Sequence, residues 1–185
     1  QATAKEIRAT NWKFQQEQGI SQVPSNDFSF YDHVLDTIAL VGAVPPRYKF
    51  QGGNVDLDTY FAMARGGRAG ALKDVPAMEM TKWFDTNYHY IVPELSKETK
   101  FALSSTKVFD EYSEAKAAGI NTRPVLVGPV TFLLVGKEKD GGNALDLLPK
   151  LLPVYQEVIS KLEALGAEWI QIDEPALALD LNDAQ

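Results

Sequence analysis

Two short apolar runs separated by a long amphipathic stretch constrain this chain more than anything else in it. PVLV at residues 124–127 is continuous and apolar, the pattern of a strand buried on both faces, and WIQID at residues 169–173 is the next strand. Between them, residues 143–165 place Leu148, Leu152, Tyr155, Ile159 and Leu162 at helical spacing, and Gly166 supplies the stop. Pro149 and Pro153 are expected to kink the first turns of that helix. Upstream, residues 101–105 form a short strand candidate. Residues 106–118 form a helix with Val108, Phe109, Tyr112 and Ala115 inward, stopped by Gly119. Strand, helix, strand, helix, strand at this spacing requires right-handed parallel crossovers. The fold class is α/β with a parallel sheet.

A dinucleotide-type open sheet carries a glycine-rich phosphate loop after its first strand. Here Gly-Pro-Val-Thr follows Val127, and Gly141–Gly142 does not follow a strand. A (β/α)8 barrel needs no such loop and gathers its chemistry where strands end. The candidate strand ends are polar: Ser104–Ser105, residues 128–131, and Asp173–Glu174–Pro175. The expectation is therefore a partial (β/α)8 TIM barrel, since 185 residues hold at most about half of a usual one. The first residue is Gln1 rather than Met, and residues 180–185 stop without a terminal element. A piece of a longer polypeptide is expected.

The first half is less regular. Thr3 and Glu6 form a capping box for a helix that places Ile7, Asn11, Phe14 and Gln18 on one face and ends at Gly19. Residues 20–28, with Pro24, Asn26 and Asp27, read as a loop with little room for a strand. Residues 30–41 repeat apolar side chains at helical spacing through Val34, Leu35, Ile38 and Val41, until Gly42 and Pro45–Pro46 end the run. Residues 47–54 form a turn region and residues 56–65 a short helix. Residues 66–76 are a loop near Arg65 that also holds Arg68 and Lys73. That loop is either a solvated surface segment or a lid bringing positive charge to an anionic substrate.

The formal charge of −7 argues against nucleic acid or an anionic membrane as a partner. No apolar run is long enough to span a bilayer and no signal-peptide pattern opens the chain, so a cytoplasmic protein is expected. With zero cysteines there are no disulfides and no thiolate metal ligands, and two isolated histidines make a poor zinc site.

Chemistry concentrates in residues 77–95, which hold Trp83, Phe84, Tyr88 and Tyr90 interleaved with Glu79, Lys82, Asp85, Asn87 and His89. That mixture suits a pocket wall, where rings supply binding and polar groups fix orientation, and it equally suits a polar-aromatic core. Lys82, beside Met80, Trp83 and Phe84, either snorkels outward or meets an anion. His89 and His33 read as structural histidines. Asp173 and Glu174 are adjacent on a strand and so point to opposite faces, one to the mouth of the barrel and the other capping a turn. Glu79, Asp85, Asp173 and Glu174 also leave open a glycosidase-like hydrolase built on paired carboxylates, and a non-catalytic fragment is the third reading.

Four long words in the chain are specific. They are DFSFYDHVLD (27–36), EMTKWFDTNYHYIVPEL (79–95), RPVLVGPVTFLLVGK (123–137) and LLPVYQEVISKLEALGAEWIQIDEPALAL (151–179). Together they resemble cobalamin-independent methionine synthase, and its fungal or plant type more than its bacterial type. The resemblance runs end to end and implies residues 1–185 to be part of the N-terminal barrel of a two-barrel protein. It implies methyl transfer from 5-methyltetrahydropteroyltri-L-glutamate to L-homocysteine. It further implies a zinc site, and no cobalamin, in a C-terminal catalytic barrel that this chain lacks. Lys82 matches a position that the family uses to contact the folate, and Asn87 falls at another. Asp173 lies in an IDEP motif that also occurs in the catalytic barrel, but for Asp173 a structural role is expected. No catalytic residue and no metal ligand of this chain is implied, and the chain alone is expected to be inactive.

Overall fold

A computed structural model describes residues 2–181; Gln1 and residues 182–185 lie outside the described residues. The chain is mixed α/β, built on a parallel sheet. Helix α1 (Ala2–Glu17) includes Thr3, so the Thr3–Glu6 box sits inside the helix and is not its cap. Its buried face also differs from the expected one. Ala4 and Trp12 are buried while Phe14 is 61% exposed, because Trp12 packs with Val23, Ala115 and Ile120 in a satellite core.

Strand β1 (Val23–Ser25) occupies the stretch expected to be a loop. Three residues with a proline give almost no sequence signal, yet Pro24 is tolerated because β1 pairs on one side only, with β5, among the described residues. Helix α2 (His33–Leu40) starts at Asp32, whose carboxylate accepts from the amides of Val34 and Leu35. Helix α3 (Leu57–Arg65) is capped in the same way by Asp56. A short antiparallel hairpin follows, β2 (Met80–Lys82) with β3 (His89–Ile91), and then β4 (Glu94–Leu95). Residues 101–105 are not a ladder strand. Ala102 and Ser104 donate to the carbonyls of Val41 and Leu40 at the end of α2, so their backbone groups are satisfied without one.

Helix α4 (Lys107–Ala117) leads into β5 (Thr122–Val127), the short helix α5 (Pro129–Leu134), and β6 (Lys137–Glu138), which pairs with β4. A 3-10 turn over Ala144–Leu147 precedes α6 (Leu148–Ala164), so the expected long helix is really two segments. Pro149 falls in the first turn of α6, where a missing amide costs nothing. Strand β7 (Gln171–Asp173) closes the order β1-β5-β7, all parallel, with Val23 opposite Thr122 and Val127 opposite Asp173. The main core joins α2, α3, β3, α5 and α6 through Leu35, Ile38, Met63, Ile91, Phe132 and Leu151.

The parallel order sets the site. All three strands end at the same edge, at Asn26, Gly128 and Glu174, where open α/β sheets and barrels alike gather polar groups. Strand β5 is not buried on both faces as PVLV implied. Val125 is only half-buried, because one face of the strand opens onto a cleft at that edge.

Candidate functional site

The cleft encloses about 600 Å³ beside the strand ends. Its walls include Asp27 beyond β1, His33 and Asp36 of α2, Lys107 of α4, and Asp173 and Glu174 at the end of β7. Lys107 reaches over β1, where its Nζ donates to Asn26 Oδ1 at 2.8 Å and lies 3.3 Å from both Asp36 Oδ2 and Glu111 Oε1. Asp36 also accepts from Ser29 Oγ at 2.8 Å and from the Tyr60 hydroxyl at 2.6 Å. Burial, with Asp36 beside it, holds that tyrosine's pKa well above its ordinary value. Burial likewise raises the Asp27 carboxyl and lowers His33, against the pull of Asp36 and Asp173. The floor is thus a set of mutually paired charges with an acidic excess.

Asp173 and Glu174 both line this cleft, contrary to the strand alternation expected of them. The reason is that β7 ends at Asp173, and Glu174 turns away at φ −120°, ψ 61°. Its carboxylate crosses to the start of α5, where Oε1 accepts from Val130 N at 3.0 Å and Oε2 from Thr131 N at 2.6 Å. Asp173 Oδ1 accepts from Gln171 Nε2 at 2.8 Å. Both carboxylates are therefore occupied structurally. Glu79 lies apart, bonded to Lys137 Nζ at 2.6 and 2.7 Å, and Asp85 is exposed. Among the described residues the cleft does not gather the four carboxylates on which the hydrolase reading rested.

The β2–β3 hairpin forms one wall of the cleft through Trp83. Its aromatics form one connected cluster that runs from the core to the cleft: Trp83 meets the His33 ring edge-on at 4.5 Å and the buried Tyr90 at 5.5 Å, and Tyr88 lies flat on His33 at 5.2 Å. Lys82 and Asn87 stand on this hairpin, each next in sequence to one of those rings, and both are exposed. Lys82 points outward, the first of the two outcomes its apolar neighbours left open, because all three residues of β2 face solvent. Among the described residues it makes no salt bridge, whereas Lys137, Lys139, Lys107 and Lys161 all do. Neither Lys82 nor Asn87 lines the cleft itself.

Among the described residues a metal ion finds no donor set. There is no cysteine, His33 Nδ1 contacts the Tyr88 hydroxyl, His89 Nδ1 contacts Asn87 O, and no group of three or more candidate ligands exists among the described residues. The residues present do not fit zinc. Among the described residues no helix is long and apolar enough to cross a membrane.

Sequence reasoning missed Asp32, which is wholly buried, and the Lys107–Asp36–Tyr60 group. Asp32 had one local signal, an acidic residue just before an apolar-periodic helix. Lys107 and Asp36 had none, since they meet only through the fold.

Relatives agree with the resemblance read from the sequence. A protein of Salinibacter ruber named 5-methyltetrahydropteroyltriglutamate–homocysteine methyltransferase is 61% identical over 99% of this chain and 24% of its own length. Proteins of the same name are 59% identical in Mesorhizobium japonicum, over 97% of this chain, and 57% identical in the plant Catharanthus roseus, over 100% of it. Identity with bacterial relatives is no lower than with the plant one, so these values do not set the chain apart as a plant type. The chain spans about a quarter of the length of these curated relatives. Residues 1–185 match the family described as "Cobalamin-independent synthase, N-terminal domain", and the chain belongs to that family.

Proposed function

We propose that this chain is the folate-gripping part of a methyltransferase that passes a methyl group from 5-methyltetrahydropteroyltriglutamate to homocysteine. The observation that carries the proposal is Lys82, an exposed ammonium without a carboxylate partner among the described residues, next in sequence to an aromatic wall. A triglutamate tail is a chain of carboxylates, and a charge-assisted N–H···O contact is the strong way to hold one. Asn87, in the turn of the same hairpin two residues before β3, adds a neutral donor and acceptor. The acidic floor of the cleft would repel the tail, so the tail lies along the hairpin and not in the depth of the cleft. The relatives' name supplies the substrate pair.

Homocysteine and the chemical step belong in this proposal to the rest of the polypeptide. Zinc finds no ligand group among the described residues, and no step of the reaction is assigned to them. The parallel β1-β5-β7 order with intervening helices is taken as a segment of a (β/α)8 barrel, the N-terminal one of two.

The test is Lys82→Ala in the full-length polypeptide. KM for the triglutamate substrate should rise about 10- to 100-fold, the worth of a hydrogen bond to a charged group. The monoglutamate form should be affected less, and kcat should hold. An unchanged KM for the triglutamate would overturn the reading.

A further inference from the structure

We propose that Asp32 is a positioning residue for this site, tying the hairpin that carries Lys82 and Asn87 to the start of α2. The proposal rests on the reading of Lys82 given above. A helix cap alone needs one carboxylate oxygen, and Asp32 Oδ1 fills that role, accepting from Val34 N at 2.8 Å and Leu35 N at 2.9 Å. Its second oxygen does something a cap does not require. Oδ2 accepts at 3.0 Å from the amide of Ile91, a β3 residue 59 positions away. Val92 N donates to Glu79 O and Trp83 N to Tyr88 O, so the even-numbered residues of this arm face β2 and the Ile91 amide points away from the ladder. Asp32 thus takes the place of a neighbouring strand.

The next residue makes the second attachment. The Tyr88 hydroxyl lies 3.3 Å from His33 N and 3.1 Å from His33 Nδ1, and Trp83 packs edge-on against the same ring. Asn87 precedes Tyr88 and Lys82 precedes Trp83, so each proposed ligand contact is one peptide away from a ring seated on His33. The register carries the constraint further, since Ile91 pairs with Met80 and His89 with Lys82. A two-stranded hairpin is marginal by itself; here β3 is seated in the core through Tyr90 and Ile91, and a buried carboxylate on its outer amide adds a directional tie to α2.

The experiment is a double-mutant cycle in the full-length polypeptide, with 5-methyltetrahydropteroyltriglutamate as the varied substrate. Asp32→Ser keeps an oxygen to cap α2 but is too short to reach the Ile91 amide. It should raise KM for the triglutamate roughly three- to tenfold, leaving kcat and the homocysteine KM near their starting values. In a Lys82→Ala background the same change should raise KM by less than it does in wild type, because most of its effect passes through Lys82 and only the part through Asn87 is left. A merely structural residue would lower active enzyme in both backgrounds alike. If Asp32→Ser leaves KM unchanged while Lys82→Ala raises it, the positioning role is overturned and the folate reading stands. If the two effects multiply, Asp32 acts elsewhere and the proposal is overturned. If Lys82→Ala itself is silent, the folate reading falls and takes this proposal with it. Should the serine variant not fold, Asp32→Asn runs the same cycle, with its amide nitrogen set against the Ile91 N–H. Failure of both variants to fold would make Asp32 a core residue and overturn the proposal.

Discussion

Asp32 also sets a pH dependence of its own. Burial pushes its carboxyl from 3.8 up to about 6; the three backbone N–H groups that bond it offset this only in part, and the nearby Asp36 carboxylate adds to the rise. Because the folded value lies above the unfolded one, the stability attached to this group is fully present below about pH 4 and is lost as pH rises through about 6. The ionised form thus costs roughly 3 kcal/mol relative to the protonated one. Asp32→Asn removes that titration. Denaturant unfolding of wild type and variant should therefore show a stability gap that shifts in favour of the variant between pH 4 and pH 7. A gap constant across that range would mean that the carboxylate is better solvated than its burial implies. At this scale the sequence disclosed the residue types but not their meetings. Lys82 and Asn87 were reached through a resemblance of long words, and Asp173 through its place at a strand end. Asp32 was missed: its only local signal was that of a helix cap, and its contact with Ile91 spans 59 positions and leaves no periodic trace.

Helix α5 shows how an element can depend on a residue from another strand. Its first amides are satisfied by Glu174, which follows β7, and its Thr131 hydroxyl in turn accepts from Ala176 N at 3.2 Å. That crossing needs Gly128, where an added Cβ would lie 2.1 Å from Glu174 Cδ and 2.4 Å from its Cγ. The backbone at Gly128, φ −72°, is open to any residue, so the requirement is space alone. Gly128→Ala and Glu174→Gln should each cost about 1–2 kcal/mol, the worth of a cap near a helix dipole. The double variant should cost little more than either one, since both remove the same contact. Urea midpoints of the four proteins measure this, and additive losses would refute the shared cap. The longer helices were legible in extent because Gly19, Gly119 and Gly166 end them, each with positive φ, but the buried face of α1 and the break before α6 were not. Strand β1 was not legible, being three residues with a proline, and neither was the hairpin, whose first strand is exposed throughout and is held by contacts from α2.

For the whole molecule the decisive feature is the pair of open sheet edges. Among the described residues β1 and β7 each pair only with β5, which leaves one row of strand amides and carbonyls unpaired on either side. The β7 side is also apolar: Trp169 is 63% exposed, Ile172 44% and Leu177 58%. Large side chains of this kind are normally covered, and an edge strand beside them is a template for pairing with another chain. The β1 edge carries Pro24, which blunts pairing, whereas β7 has no proline and only Asp173 at its end. Expressed by itself, the 185-residue chain should associate through this edge at micromolar concentration, giving a sedimentation coefficient that rises with concentration. Ile172→Lys places a charge in the middle of β7 and should shift the distribution toward monomer. Trp169→Lys, two residues before the strand, should do so by removing apolar area. In a polypeptide of the relatives' length the same two changes should instead lower stability, because there the edge is proposed to be paired within a barrel. A monodisperse isolated chain, unaffected by either lysine, would show that this edge is closed by some other means.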